Sequence, residues 1–211
     1  MNREQYVKQF DNIVSQLGEA KPRLLLHSCC GPCSGSVIEL LSKHFAVTVL
    51  WYNPNLYPEA EFYKRLDTQK QIIAALKADG LGSAELTVCD WRSDEYMSRI
   101  KGLENEPEEG LRCIECFKLR LEETARLAAE GGFDWFCTTL TVSPQKDAAA
   151  INAIARDAEK KYGVKWLPSE FKKRDGYRRS TELSRIYGLY RQNYCGCVFS
   201  IRSASDEARD E

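Results

Sequence analysis

The 211-residue chain lacks long apolar runs, because no stretch approaches the roughly 18 consecutive apolar residues that a membrane-spanning helix requires. It also lacks an excess of charge of either sign: 30 basic residues are balanced by 31 acidic ones, and the net charge is −1. We therefore expect no membrane partner. A protein that binds nucleic acid through an overall basic surface is also excluded, although a local basic patch is not.

A secretory signal is also missing, because residues 1–21 carry scattered charges and no apolar segment. This predicts a cytoplasmic protein, in which thiols stay reduced. An apolar fraction of 43% excludes a disordered chain, and the length suits one domain with a real hydrophobic core. We predict a single domain over 1–211, with a core at about 21–170, a C-terminal extension at 171–202 and a tail at 203–211.

Short β-prone apolar runs alternate with stretches of helical periodicity. We predict strands at 23–27, 45–52, 84–89, 133–138 and 164–167, and helices at 3–18, 34–42, 58–78, 94–101, 113–130, 145–162 and 180–189. This alternation predicts an α/β fold with an open, mostly parallel, Rossmann-like sheet, helices on both faces and a C-terminal extension of helix and loop. In such sheets the functional residues lie at the carboxyl ends of the strands.

Nine cysteines are the unusual feature of the composition. Cys89 and Cys137 lie in short apolar runs, which predicts buried cysteines that only pack. The other seven form three groups: Cys29, Cys30 and Cys33; Cys113 and Cys116; Cys195 and Cys197. Such close spacing indicates metal ligands or redox-active thiols.

The first two groups are placed to bind a metal. Cys33 lies near the start of a predicted helix, and Cys113 and Cys116 share one face of the first turn of another. The positive end of the helix dipole lowers the pKa of a thiol there, and thiolates are the form that metals bind. Four thiolates suit either a structural zinc or a [4Fe–4S] cluster. The surplus thiols favour the cluster, although spacing alone leaves both open.

The segment Cys195-Gly-Cys197 indicates redox chemistry. A disulfide between these cysteines would close a very short loop, which stabilises a fold little and is strained. Strained disulfides are the easily reduced, catalytic kind. We therefore predict a redox-active pair, with two metal ligands on a tight turn as the alternative.

Cys30-Gly-Pro-Cys33 matches the thioredoxin active-site motif, so a thioredoxin-like thiol–disulfide oxidoreductase is a competing hypothesis. It leaves five of the seven grouped cysteines unexplained. A nucleotide-binding site after the first strand is disfavoured, because that position lacks a Gly/Ser phosphate-binding loop. A zinc-stabilised RNA-binding module without catalysis is the third hypothesis.

Four polar residues lie at or just after the ends of predicted strands. His27 and Asp90 could donate protons, and the alternative for His27 is a packed, hydrogen-bonded histidine. Tyr52 and Asn53 could form the floor of a substrate pocket or only build a turn.

A basic segment near the C-terminus is a candidate RNA contact. Its candidate residues are Lys172, Lys173, Arg174, Tyr177, Arg178 and Arg179. They could follow a phosphate backbone and stack an unpaired base on Tyr177, whereas the alternative is a solvated basic loop.

Five segments together resemble the cobalamin-independent epoxyqueuosine reductase (QueH) family. They are His27–Cys33, Tyr52–Asn55, Cys113–Arg120, Thr139–Pro144 and Cys195–Cys197. Each motif is weak alone, but their order and combination are specific, and the resemblance runs from about residue 23 to residue 199. It implies a HUP-like version of the sheet and an enzyme that acts on tRNA.

The resemblance implies the last step of queuosine synthesis at the anticodon wobble position. The epoxide oxygen of epoxyqueuosine leaves as water, in a reduction that takes two electrons and two protons from an external donor. The family's [4Fe–4S] ligands correspond to Cys29, Cys30, Cys113 and Cys116, and its redox-active pair corresponds to Cys195 and Cys197. A second iron is possible in this family, and Cys33 together with Asp90 could bind it.

Overall fold

A five-stranded parallel sheet forms the centre of the computed structural model, which describes residues 3–201. The strands are β1 (Arg23–His27), β2 (Ala46–Trp51), β3 (Glu85–Val88), β4 (Trp135–Thr138) and β5 (Lys165–Trp166). Their order across the sheet is β3-β2-β1-β4-β5, and every neighbouring pair is parallel. The predicted parallel α/β sheet is therefore confirmed.

Seven helices surround the sheet in the described part of the chain. They are α1 (Arg3–Gln16), α2 (Gly31–Leu41), α3 (Glu59–Ala78), α4 (Ser93–Arg99), α5 (Leu111–Glu130), α6 (Ala148–Tyr162) and α7 (Gly176–Ile186). Helix α2 packs against α3 and α7, and α5 packs against α6. None of the described helices combines the length and the apolar character needed to cross a membrane.

The central strand β1 aligns the edge of the sheet where the polar residues lie. His27 at the end of β1 is in register with Leu50 of β2 and Thr138 of β4. Segments that follow these three strands therefore leave the sheet side by side. Apolar side chains of β1, β2 and β4 are buried on both faces, as parallel strands covered by helices require.

The two isolated cysteines differ from each other. Cys137 on β4 is fully buried, as predicted. Cys89 is only half-buried, so the prediction of a core cysteine is wrong there. It follows β3, which lies at the edge of the sheet and leaves Val88 46% exposed. An edge strand has a neighbour on one side only, so a β-prone apolar run does not guarantee burial.

Two helices begin three or more residues earlier than predicted. Helix α2 begins at Gly31, because the Cys30 side chain caps it by accepting a hydrogen bond from the Cys33 backbone N–H. Helix α7 begins at Gly176, inside the segment predicted as a basic loop. The division into core and extension remains a prediction, and the tail at 203–211 lies outside the described residues.

The sheet predicts which leucines matter for stability. We expect Leu26→Ala, at a fully buried position of β1, to lower the free energy of unfolding by about 2–5 kcal/mol, because it leaves a cavity in the core. Urea denaturation followed by circular dichroism measures this. The matched control is Leu111→Ala at the start of α5, where the side chain is 58% exposed and the change should stay within about 0.5 kcal/mol. Equal effects at the two positions would contradict the packing described here.

Candidate functional site

A cavity of about 480 Å³ lies at the carboxyl edge of the sheet. All seven grouped cysteines line it: Cys29, Cys30, Cys33, Cys113, Cys116, Cys195 and Cys197. They come from the β1–α2 turn, the first turns of α5 and the segment after α7. Folding therefore brings three distant cysteine segments to one place, as their spacing predicts.

The first three cysteines form the tightest group. The sulfur atoms of Cys29, Cys30 and Cys33 all lie within 4.8 Å of one another. Hydrogen bonds from the other two thiols hold the pKa of Cys29 well below its usual range. The contact with Cys29 raises the pKa of Cys30 to about 12, and contacts with Cys29 and Cys30 raise the pKa of Cys33 well above its usual value. The three sulfurs thus form a close donor set that suits a metal, which binds cysteine as the thiolate.

The second pair lies on α5 and faces the third. Cys116 is buried and Cys113 is half-buried. Burial raises the pKa of Cys113, and it raises that of Cys116 to about 12; thiolate charge on Cys195 and Cys197 acts in the same direction on both. Burial raises the pKa of Tyr96, and interaction with Cys116 and Cys197 acts in the same direction. Electrostatic contact therefore links the cysteines of α5 with the C-terminal pair.

The turn at Cys195-Gly196-Cys197 is fixed by the segment after β2 and by α3. Gly196 has φ +118°, and a Cβ atom there would lie 2.4 Å from Leu56 Cδ2. Its carbonyl oxygen accepts a hydrogen bond of 2.8 Å from the Tyr57 N–H. The buried Arg65 donates to the Cys195 carbonyl oxygen at 3.1 Å. Both thiols are free, and their redox pairing remains a prediction.

The donor set fits a sulfur-ligated metal centre. Seven thiols line one cavity, and three polar atoms in the same wall are buried without hydrogen-bond partners: Asn55 Oδ1, Gln192 Oε1 and Arg120 Nη2. Buried polar atoms without partners indicate a missing ligand. The ligand set Cys29, Cys30, Cys113 and Cys116 remains a prediction, because the tightest sulfur group in the structure includes Cys33 instead of the α5 pair.

The two candidate proton donors do not line the cavity. His27 is fully buried, and its ring nitrogens contact Thr138 Oγ1 at 2.8 Å and the Tyr52 carbonyl oxygen at 3.2 Å. Burial lowers its pKa to about 3, so His27 is neutral, which favours the packed histidine over the proton donor. Asp90 is exposed outside the cavity, which also removes it from the neighbourhood of Cys33.

Tyr52 and Asn53 build the turn and do not floor the cavity. The Tyr52 hydroxyl donates to Glu95 Oε2 at 2.6 Å, and burial together with this carboxylate raises its pKa. Asn53 Nδ2 donates to the Ser28 carbonyl oxygen at 2.8 Å. The Asn53 contact links the end of β2 to the cysteine segment after β1. Both residues therefore support the site without lining the cavity.

Ion pairs engage most of the cations in the basic segment, and its role as a phosphate contact remains a prediction. Four of its five cations form ion pairs: Lys172 with Glu170, Arg174 with Asp11, Arg178 with Asp175 and Arg179 with Glu39. Asp11 and Glu39 lie on α1 and α2, far away in the sequence, which is why charge counting missed them. Lys173 remains exposed, and Tyr177 is 43% exposed and lines the cavity.

Two cations of the cavity wall had no role in the sequence interpretation. Arg120, one turn after Cys116 on α5, is buried. Lys146 lies in the loop before α6, where burial lowers its pKa but the thiolates of Cys195, Cys29 and Cys33 outweigh this and raise it. Only an apolar face around Arg120 could have indicated its burial, and no local signal exists for Lys146.

The first prediction from this site concerns Lys172. Its Nζ lies 3.3 Å from Glu170 Oε1 and donates to the carbonyl oxygen of Lys146 at 3.1 Å, so it supports the loop that carries Lys146. We expect Lys172→Met to lower the free energy of unfolding by about 3 kcal/mol, because it leaves the buried Glu170 carboxylate unpaired. Lys173→Met at the exposed neighbour is the matched control, with an expected change within about 0.5 kcal/mol. If Lys172→Met were as stable as the wild type but bound RNA more weakly, the structural role would be contradicted and Lys172 would be a phosphate contact.

The second prediction concerns the anchor of the C-terminal turn. Arg65 pairs with Glu61 at 2.6 Å and donates to the Cys195 carbonyl oxygen. We expect the double variant Glu61→Gln/Arg65→Met to release this turn and to raise the rate of Cys195 alkylation by iodoacetamide severalfold in the metal-free protein. Both charges are removed together so that no buried carboxylate is left unpaired. Lys70→Met, an exposed change on the same helix, is the control. An unchanged alkylation rate in a folded double variant would show that Arg65 does not hold the turn.

Comparison with known proteins identifies the relatives of this chain. The family model described as "Epoxyqueuosine reductase QueH" matches residues 24–203. The Streptococcus pyogenes protein of that name is 38% identical over 208 residues, which cover 96% of this chain and 81% of the relative. The Staphylococcus epidermidis protein is 40% identical, with 92% and 84% covered. The Thermotoga maritima protein is 35% identical, with 84% and 90% covered.

A solved structure also aligns with the chain. U34-tRNA thiolase NcsA from Methanococcus maripaludis, determined with its [4Fe-4S] cluster, aligns over 99% of this chain and 72% of its own, with a TM-score of 0.46 and 17% identity. A likeness of this size supports no conclusion about function. The family match and the relatives, which agree over most of the chain, carry the assignment: the chain belongs to the epoxyqueuosine reductase QueH family.

Proposed function

We propose that this chain is an iron–sulfur reductase that converts epoxyqueuosine to queuosine in tRNA. Both C–O bonds of the epoxide break and a C=C bond forms, and the oxygen leaves as water after the uptake of two electrons and two protons. Membership of the family supports this activity. The observation that carries it is the convergence of seven thiols, from three segments of the chain, on one cavity.

A [4Fe–4S] cluster fits this cavity, because the available donors are sulfur atoms. We assign Cys29, Cys30, Cys113 and Cys116 as its ligands. When bound, such a cluster supplies one-electron transfer. Cys33 is left over beside Cys29 and Cys30, and it is the one candidate ligand of a second iron that lies in the cavity, since Asp90 does not.

The C-terminal pair is the proposed electron store of the enzyme. The thiols of Cys195 and Cys197 together carry two electrons and two protons, which equals the requirement of the reaction. Their oxidation to a disulfide would balance one turnover, and an external donor would then reduce the pair again. The turn is anchored by Arg65 and Tyr57, so the thiols stay at the cavity during this cycle.

The cavity is also of a suitable size and polarity for a modified nucleobase. Its volume of about 480 Å³ lies within the range of small-molecule pockets. Lys146 Nζ, which stays protonated beside the thiolates, can donate a hydrogen bond to the epoxide oxygen. The orphaned oxygens of Asn55 and Gln192 can accept hydrogen bonds from hydroxyl or amino groups of the substrate.

The tRNA contact is proposed to rely on stacking at the rim of this cavity. Tyr177 is exposed there, and its ring can stack on a base that has been turned out of the anticodon loop. Arg191 is an exposed cation that lines the same cavity, and Lys173 is an exposed cation four residues before Tyr177 in the chain. No observation favours the thioredoxin-like alternative, because Cys30 is 1% exposed and its sulfur caps α2.

The test of this function is a reconstitution without oxygen. The protein is loaded with iron and sulfide, both are quantified, and the loaded protein is incubated with tRNA that carries epoxyqueuosine and with a chemical reductant. We expect four irons and four sulfides per chain, in keeping with a [4Fe–4S] centre, and nucleoside mass spectrometry should show queuosine. A protein that binds no iron and sulfide, or a loaded protein that leaves epoxyqueuosine unchanged, would overturn the proposal.

The role of the C-terminal pair gives a separate prediction. We expect Cys195→Ser to retain the cluster but to lose multiple-turnover activity, because serine cannot form a disulfide. Cys89→Ser is the matched control, since this thiol lies outside the cavity and should not affect turnover. Full steady-state activity of Cys195→Ser would exclude the pair as the electron store and leave the cluster assignment intact.

A further inference from the structure

Arg120 is a buried cation in the wall of the cavity. Its side chain is almost inaccessible to water, with 2% of the residue exposed. Nε donates to the carbonyl oxygen of Cys116, one turn earlier on α5, at 3.3 Å. Nη2 is buried and has no hydrogen-bond partner. A guanidinium with an unused donor therefore lies among the sulfur atoms.

Burying this charge is costly unless an opposite charge compensates it. Among the described residues, the structure records no ion pair between Arg120 and a carboxylate. The guanidinium carbon lies 5.8 Å from the centre of the Phe117 ring. The groups around it that can carry a negative charge are cysteine side chains, because Arg120 lines the same cavity as Cys116, Cys195 and Cys29. Burial lowers the pKa of Arg120, and interaction with these three cysteines outweighs this and raises it. Each of these three cysteines comes from a different segment.

We propose that Arg120 is the counter-charge of the cysteine centre, a positioning residue whose guanidinium stabilises the negative charge of the sulfurs and thereby sets the reduction potential of the cluster they hold. This inference rests on the proposed function, because it assumes that a cluster is bound. Reduction adds a negative charge to the cluster, so a nearby cation stabilises the reduced form and raises the potential. Hydrogen bonds to the sulfurs act in the same direction.

Other cations also line this cavity. Arg65 is paired with Glu61, and Lys146, which lies near the thiols, differs from Arg120 in burial. It is half-buried and lies near Cys195, Cys29 and Cys33, whereas Arg120 is fully enclosed and lies near Cys116. Water screens a half-buried charge more strongly, so the larger effect on the potential belongs to Arg120. Its planar guanidinium can also donate to more than one sulfur at the same time.

The test compares the loaded wild type with Arg120→Gln and Arg120→Lys, and with Arg126→Gln as the control. Arg126 is on the same helix but pairs with Glu123 and Glu130 away from the cavity. The readouts are iron and sulfide content, far-ultraviolet circular dichroism, and the midpoint potential from a redox titration followed by electron paramagnetic resonance. We expect Arg120→Gln to reduce the equilibrium constant for cluster reduction at least tenfold, which is about 59 mV toward negative potential for one electron. Arg120→Lys should lie closer to the wild type, and Arg126→Gln should match it.

Each possible result either supports or overturns the proposed role of Arg120. Arg120→Gln with wild-type iron content and an unchanged potential overturns it. A folded Arg120→Gln that loses the cluster, while Arg120→Lys keeps it, supports it, because charge is the property that Lys retains. Should Arg120→Gln fail to fold, a folded and loaded Arg120→Lys supports the inference, and an unfolded Arg120→Lys overturns it in favour of a structural role. Absence of iron and sulfide in the wild type would instead overturn the proposed function.

Discussion

The site depends on keeping many sulfur atoms close together in a space from which most water is excluded. Thiolates there repel one another and lose hydration, so the fold has to supply compensating charges. The start of α2 directs the Cys33 N–H at the sulfur of Cys30, and Arg120 and Lys146 add full positive charges. These contributions come from three segments that meet only because parallel strands end along one edge of the sheet.

Helix α3 is the common support for two of the three cysteine segments. A Cβ atom on Gly31 would lie 2.7 Å from the Thr68 carbonyl oxygen, so glycine permits α2 to begin directly against α3. A Cβ atom on Gly196 would lie 2.8 Å from Arg65 Nη1, on the same helix. The first and third cysteine segments therefore both pack against one helix, α3. A small shift of α3 would move both toward or away from the α5 pair, so the precision of the site follows from its packing.

Sequence reasoning was most successful where the signal is local. The buried strands appear as continuous apolar runs, and thiols that act together occur at short spacing, so the sheet and the three cysteine groups could be predicted. It could not choose between alternatives where a partner comes from a distant segment. Arg179 reads as a free cation until Glu39 of α2 is placed beside it, and His27 reads as a proton donor until Thr138 and Tyr52 enclose it. The sequence around Lys146 gives no signal of its role. That role arises from distant thiols, and two of them, Cys29 and Cys33, lie more than a hundred residues earlier in the chain.

The ion pairs of the basic segment give it a role other than charge. Arg174 pairs with Asp11 on α1 and Arg179 pairs with Glu39 on α2, so the start of α7 is held from two sides. Tyr177 lies between these two anchors, at the rim of the cavity. A base stacked on a fixed ring is positioned more precisely than one held by mobile cations, because little side-chain freedom is lost on binding. The ion-paired arginines thus fix the orientation of the helix that carries Tyr177, the residue proposed to stack on the base.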